Sequence, residues 1–167
     1  MLKKLIILLF AIAPLAAIAQ DKIAYINTQE IFSAMPELSG IETQMSNKQQ
    51  EVQKNAAALE AEYTKKLEEF SKTSATASEA VKQDQQKQLQ QIQERYQVFM
   101  QNSQKEAQEL QQKLLAPVHK KIADAIKAIG DEKGFTYIID LAAGALVYQS
   151  DKATNATPLV KAKLGLK

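Results

Sequence analysis

The side chains that could do chemistry in this chain are few and scattered. Its single histidine, His119, has neither a serine–acid partner pattern nor a second metal ligand at helical spacing, so packing or exposure explains it better than catalysis. The lack of cysteine removes thiolate nucleophiles, disulfides, thiolate metal sites and a lipidated N-terminus. Between residues 41 and 116 eleven acidic side chains interleave with ten basic ones. That mixture describes solvated helix surface with weak i,i+4 pairs rather than a general acid and base held together. The five glycines are too dispersed to form a phosphate-binding loop. We therefore expect no enzyme, no cofactor and no metal.

With chemistry set aside, the shape of the chain carries the information. From Gly40 to Gly130 no glycine intervenes, and the only proline is Pro117. Apolar residues at 52, 56, 59, 63, 67 and 70 keep the period of a nearly straight helix. The stretch also folds back on itself. Phe70 with Val81, Leu59 with Ile92, Val52 with Phe99 and Ile41 with Leu110 each sum to 151, and Tyr63 with Leu89, Ala56 with Tyr96, Met45 with Ala107 and Leu38 with Leu114 to 152. These sums predict two long antiparallel helices over 38–116, with a tip at 71–78. Thr76 and Glu79 would form a capping box opening the second helix. Each helix should extend about 55 Å. Pro117 is expected to kink or restart the second helix, which should end at Gly130.

The two ends of the chain must supply everything else. Residues 1–19 read as a secretory signal peptide: a basic start with Lys3 and Lys4, an apolar run broken by Pro14, and a cleavage site near Ala19-Gln20. An uncleaved anchor is the alternative, although the run is short for a span. Without Lys3 and Lys4 the balance is 19 basic against 19 acidic residues, which gives no electrostatic argument for nucleic acid. Lys22-Ile23-Ala24-Tyr25-Ile26-Asn27 reads as a strand. Phe135 to Asp140 and Ala145 to Gln149 read as a strand hairpin turning at Gly144, and Thr157-Pro158 opens a last helix. The expected fold class is α+β, a long helical hairpin on a small β-body formed by 20–37 and 117–167. Such a body is marginal alone and calls for partner chains.

Two further features have plain readings. Thirteen glutamines fall between Gln83 and Gln112. An aggregation-prone tract is one interpretation, but the apolar stripe through it favours a helix with an uncharged polar face. Asn155-Ala156-Thr157 matches a glycosylation acceptor and is better explained as a helix start. Large seam residues spaced about one per turn, and only partly buried, barely offset the backbone entropy of helix formation. The arms should accordingly be flexible, most of all near the tip.

In its order of motifs the chain resembles the Skp/OmpH family of periplasmic chaperones. The resemblance rests on Lys22 to Asn27 with Gln29-Glu30-Ile31-Phe32, on Leu115-Ala116-Pro117-Val118, on Gly134 to Asp140, and on Thr157 to Leu164. It implies a homotrimer whose strands build a central β-body and whose arms enclose a cavity. Unfolded outer-membrane proteins would be held there without ATP, in the periplasm. The best-known member is strongly basic, whereas the arms here are balanced in charge. That departure argues against attraction to lipopolysaccharide or anionic membrane and predicts only mild salt dependence of client binding.

On these grounds Tyr63, Phe70, Tyr96 and Phe99 are the candidate client-facing residues. Ile23, Tyr25, Ile138, Val147 and Tyr148 are the candidates for holding a trimer, and aspartate at Tyr25 or Ile138 should release monomers. The alternative function is a structural spacer or adaptor docking one envelope partner. Its mark would be a concentrated aromatic or charged patch, which the sequence lacks.

Overall fold

The computed structural model describes residues 22–144 and 146–167, so the expected signal peptide lies outside the described residues. Strand β1 (Ile23–Ile26) leads into the short helix α1 (Thr28–Ser33). Two long helices follow, α2 (Glu37–Thr73) and α3 (Glu79–Lys133). Strand β2 (Tyr137–Asp140), a 3-10 turn (Leu141–Ala143), strand β3 (Thr154–Asn155) and helix α4 (Thr157–Lys163) complete the chain. Among the described residues no helix is long and apolar enough to cross a membrane.

The three strands form one parallel sheet in the order β2-β1-β3, with Ile23 beside Tyr137 and Tyr25 beside both Ile139 and Asn155. Parallel neighbours need long crossovers, and here the whole α1–α2–α3 excursion is the crossover from β1 to β2. The strand hairpin expected over Ala145–Gln149 is not formed. Residues 146–149 lie outside any strand, and Val147 is fully exposed. Their β-branched and aromatic composition signals a fit to a half-buried pleated surface, and β1 already has a neighbour on each side. The third strand is instead the polar pair Thr154–Asn155.

The core sits where the inner face of the sheet, α1, α4 and the last turns of α3 meet. Ala24 and Ile26 of β1, Ile31 and Met35, Ala156 and Val160 close on Val118, Ile122, Ala125 and Ile129. The spacing of that last set keeps it on one face of α3. Pro117 does not restart the helix: α3 runs unbroken from Glu79 through it to Lys133. An interior proline costs about 3 kcal/mol, but Val118 just beyond it is buried and holds the following turns in the core. Nor does α3 stop at Gly130. Gly134 supplies the left-handed residue, with φ 65°, and its N–H bonds the Gly130 carbonyl. Lys22 Nζ caps the same helix end by donating to the Lys133 carbonyl at 2.7 Å.

Local side chains fix the other junctions. Asn27 accepts from Glu30 N at 3.0 Å and opens α1. Asp140, at the end of β2, accepts from Thr28 N at 3.1 Å, Thr28 Oγ1 at 2.5 Å and Ala142 N at 3.0 Å, tying β2 to the start of α1. Asn155 Oδ1 accepts from Thr157 N at 2.9 Å, which accounts for the Asn-Ala-Thr triplet as a helix start. At the far end the expected capping box is replaced: Ser78, not Thr76, caps α3, accepting from Val81 N.

Candidate functional site

Helices α2 and α3 run side by side in opposite directions from the sheet end to the turn at 74–78. Hydrogen bonds cross between them at several levels. Lys121 meets Glu37 at 2.6 Å beside the sheet end, and Lys48 meets Glu106 at 2.8 Å. Farther out, Arg95 binds both carboxylate oxygens of Glu62 at 3.1 and 2.9 Å, and Thr73 bonds Gln85 near the turn. These polar pairs flank the apolar seam and pair residues with somewhat higher number sums than the seam residues. Leu59 and Ile92, matched in the sequence register, line two hollows together.

The seam is thinly covered. Helix α2 contains no buried residue over its 37 positions, and between the turn and Pro117 only Ile92 and Ser103 of α3 are buried. Leu67, Val81, Val98 and Met100 stand exposed. Two antiparallel helices enclose only the strip between them, so side chains on either edge of the strip keep a face in solvent.

Three of the four aromatic candidates divide between the two flanks of this pair. Tyr63 and Tyr96 share a hollow with Leu59 and Ile92. Their hydroxyls are engaged across the seam, that of Tyr63 accepting from Gln93 Nε2 at 3.0 Å and that of Tyr96 donating to Glu60 at 3.1 Å. The bond to the Glu60 carboxylate, and its charge, push the Tyr96 phenol above its ordinary pKa. Phe99 belongs to a different hollow with Val98, Glu62 and Arg95. Phe70 is half-buried close to the turn. Sequence reasoning missed Val98 and Met100, whose signal was available: both are large apolar residues off the main stripe.

Several charged groups along the pair neutralise one another. The ammonium of Lys48 is held above its usual pKa by its bond to Glu106, and Glu69 is held below its own by Lys66. Glu37 is likewise lowered by its bond to Lys121.

At the sheet end, Ile23 (49% exposed) and Tyr25 lie on the face turned away from the core, beside Tyr137 (60% exposed) and Ile139 in the paired strand. Ile138 is a correction. It lies on the inner face, its Cδ1 only 3.6 Å from where a Cβ on Gly130 would stand, and packs against the core. The alternation of a strand puts Tyr137 and Ile139 on the outer face in its place. Val147 and Tyr148 are exposed in the connection after β2, not in a strand. His119 stacks on Phe32, ring centroids 5.3 Å apart and 13° from parallel, where α1 meets α3. Among the described residues no cluster of histidine, aspartate or glutamate could hold a metal ion.

Comparison with known proteins agrees with this architecture. Residues 22–164 match the family described as outer membrane protein (OmpH-like). The chaperone protein Skp of Photorhabdus luminescens is 27% identical over 150 residues, 87% of each chain. Skp of Pectobacterium atrosepticum is 27% identical over 140 residues, covering 81% of this chain and 82% of its own. Among solved structures, an outer membrane chaperone (OmpH-like) from Caulobacter crescentus CB15 superposes with a TM-score of 0.72 at 17% identity, over 87% of this chain and 85% of its own, a likeness of fold. The relatives are chaperones rather than enzymes, and this chain, with its sheet end and long helix pair, belongs to the OmpH-like outer membrane protein family.

Proposed function

We propose that the chain is an ATP-independent holdase of the periplasm that keeps unfolded outer-membrane proteins from aggregating before membrane assembly. The observation that carries this reading is the thinly covered seam, since no residue of α2 is fully buried along its whole length. A soluble helix of that size ordinarily hides an apolar stripe against a core. One that leaves it only partly covered offers many weak contacts to another chain, and membership of a family of chaperones supports that use.

In this reading residues 38–116 are an arm, and 20–37 with 117–167 are a body shared by three copies. The outer sheet face with Ile23, Tyr25 and Tyr137 is the natural contact between copies, because parallel sheets are normally covered on both sides. Val147 and Tyr148, free in the single chain, would complete that contact. Export would remove the leader near Ala19-Gln20.

Light scattering of a urea-denatured β-barrel membrane protein, diluted into buffer with and without this protein, tests the proposal. Suppression at one trimer per client is expected. Undiminished scattering would reject the holdase and favour the spacer role. Sedimentation of the purified protein should give a trimer, and a well-folded monomer would remove the shared body.

A further inference from the structure

The two flanks of the helix pair differ in chemistry. On one, the hollow beside Phe99 is rimmed by Glu62, Lys66 and Arg95, and the two-point Arg95–Glu62 bond bridges the helices there. A chain entering that side must desolvate an ion pair. On the other flank two hollows follow one another along the seam. One holds Tyr63 and Tyr96, and the next, nearer the sheet end, holds Met45 and Met100. Gln97 lines the first of these with Glu60, whose carboxylate accepts from the Tyr96 hydroxyl, and Gln53, Gln101 and Gln104 line the second with Glu42 and Lys48. Steps of four and three residues keep Gln97, Gln101 and Gln104 on one side of α3.

Several glutamines nearer the turn are already engaged. Gln88, Gln90 and Gln93 are tied to Asp84, Glu94 and Tyr63. Gln53, Gln97, Gln101 and Gln104 are exposed and enter no side-chain hydrogen bond among the described residues. A carboxamide presents an acceptor and two donors, the same groups that a peptide unit carries. A four-residue step on a helix rises about 6 Å, close to the roughly 6.6 Å between same-side groups of an extended strand. Methionines beside them adapt to whatever side chain arrives. A helix from a second copy would not use this complement, because its backbone groups are already bonded internally.

We infer that the flank carrying Gln53, Gln97, Gln101 and Gln104 with Met45 and Met100 is where client is held, and that it binds an extended stretch of unfolded chain by amide-to-backbone hydrogen bonds. This rests on the holdase reading. Free amide groups thus select for absence of structure rather than for charge.

The test places a photo-crosslinking benzoylphenylalanine at Gln53 or Gln101, and at Gln91 or Val98 on the opposite flank, in the full mature protein. A urea-denatured β-barrel membrane protein is the probe. Client cross-links should be about five-fold or more stronger from the first pair. Equal yields, the reverse preference, or cross-links only to a second copy would overturn the inference. Replacing Gln97, Gln101 and Gln104 together by leucine keeps the helix and enlarges the apolar surface. Binding should nevertheless weaken about five-fold or more, with the oligomer unchanged by sedimentation, and unchanged or tighter binding would overturn the inference. A wild-type protein that leaves scattering undiminished rejects the holdase reading and this inference with it. Suppression with the wrong flank cross-linked rejects this inference alone.

Discussion

Helix α3 passes through two environments without changing its kind of sequence. In its last turns Val118, Ile122, Ala125 and Ile129 are buried, because β1, α1 and α4 surround them. Between the turn and Pro117 the same helix carries as regular an apolar stripe and buries only Ile92 and Ser103, because α2 is its sole neighbour. Burial is therefore set by the number of elements packed around the helix, not by how apolar its stripe is. The sheet end should be rigid and sensitive to substitution, and the turn end mobile and tolerant.

The sharpest way to break this contrast acts on the outer sheet face. Tyr25→Asp puts a charge there without disturbing the core, and should convert the proposed trimer to folded monomer, read by sedimentation and circular dichroism. A trimer that persists would show that this face does not join copies. Ile138→Asp, by contrast, would bury a charge in the core and should unfold the sheet end. Next in size, Ile31→Ala removes a side chain with no solvent exposure and should cost about 2–5 kcal/mol in urea unfolding. Leu67→Ala on the exposed stripe should cost under about 1 kcal/mol. Comparable losses at the two positions would abolish the distinction.

A smaller effect is tied to pH. Burial works against the charge on Asp140, but the bonds from Thr28 and from Ala142 outweigh it and hold the carboxyl below the usual aspartate range. With the folded pKa below the unfolded one, its stabilisation is complete above the ordinary aspartate value. It is lost as pH falls through that value toward the folded one. Asp140→Ala should cost about 1 kcal/mol at neutral pH and flatten that acid limb of the stability curve. A limb unchanged in the variant would assign the loss to other carboxylates. Smallest of all, Gly40→Ala should stabilise by about 0.5–1 kcal/mol, since nothing lies within 4 Å of the added methyl. A destabilised variant would mean that the glycine serves the junction with the helix pair.

Much of the fold was legible because it is written in local terms. The period of Val52 to Phe70 and the long glycine-free stretch mark the helices, and Ile23–Ile26 and Tyr137–Asp140 carry strand composition. What misled was local preference overruled from a distance. Pro117 stays helical because the turns after it are anchored in the core. Thr154–Asn155 becomes a strand, although its composition is that of a turn, because β1 offers it a free edge. Residues 146–149 have the composition but lie outside the sheet. For the candidate site, periodicity identified Tyr63, Tyr96 and Phe99 as seam residues. It could not separate Phe99 from the tyrosines, because the flank depends on how the two helices are rotated against each other.

The placement of β1 at the centre of the sheet has a consequence for how the chain comes together in time. Lys22, at the entry to that strand, bonds Lys133, 111 residues later. Contacts close in sequence form before distant ones, so α2 and α3 can pair while the central strand still lacks both neighbours. A rod assembled before its anchor leaves each copy, for that interval, an incomplete polypeptide with a bare strand.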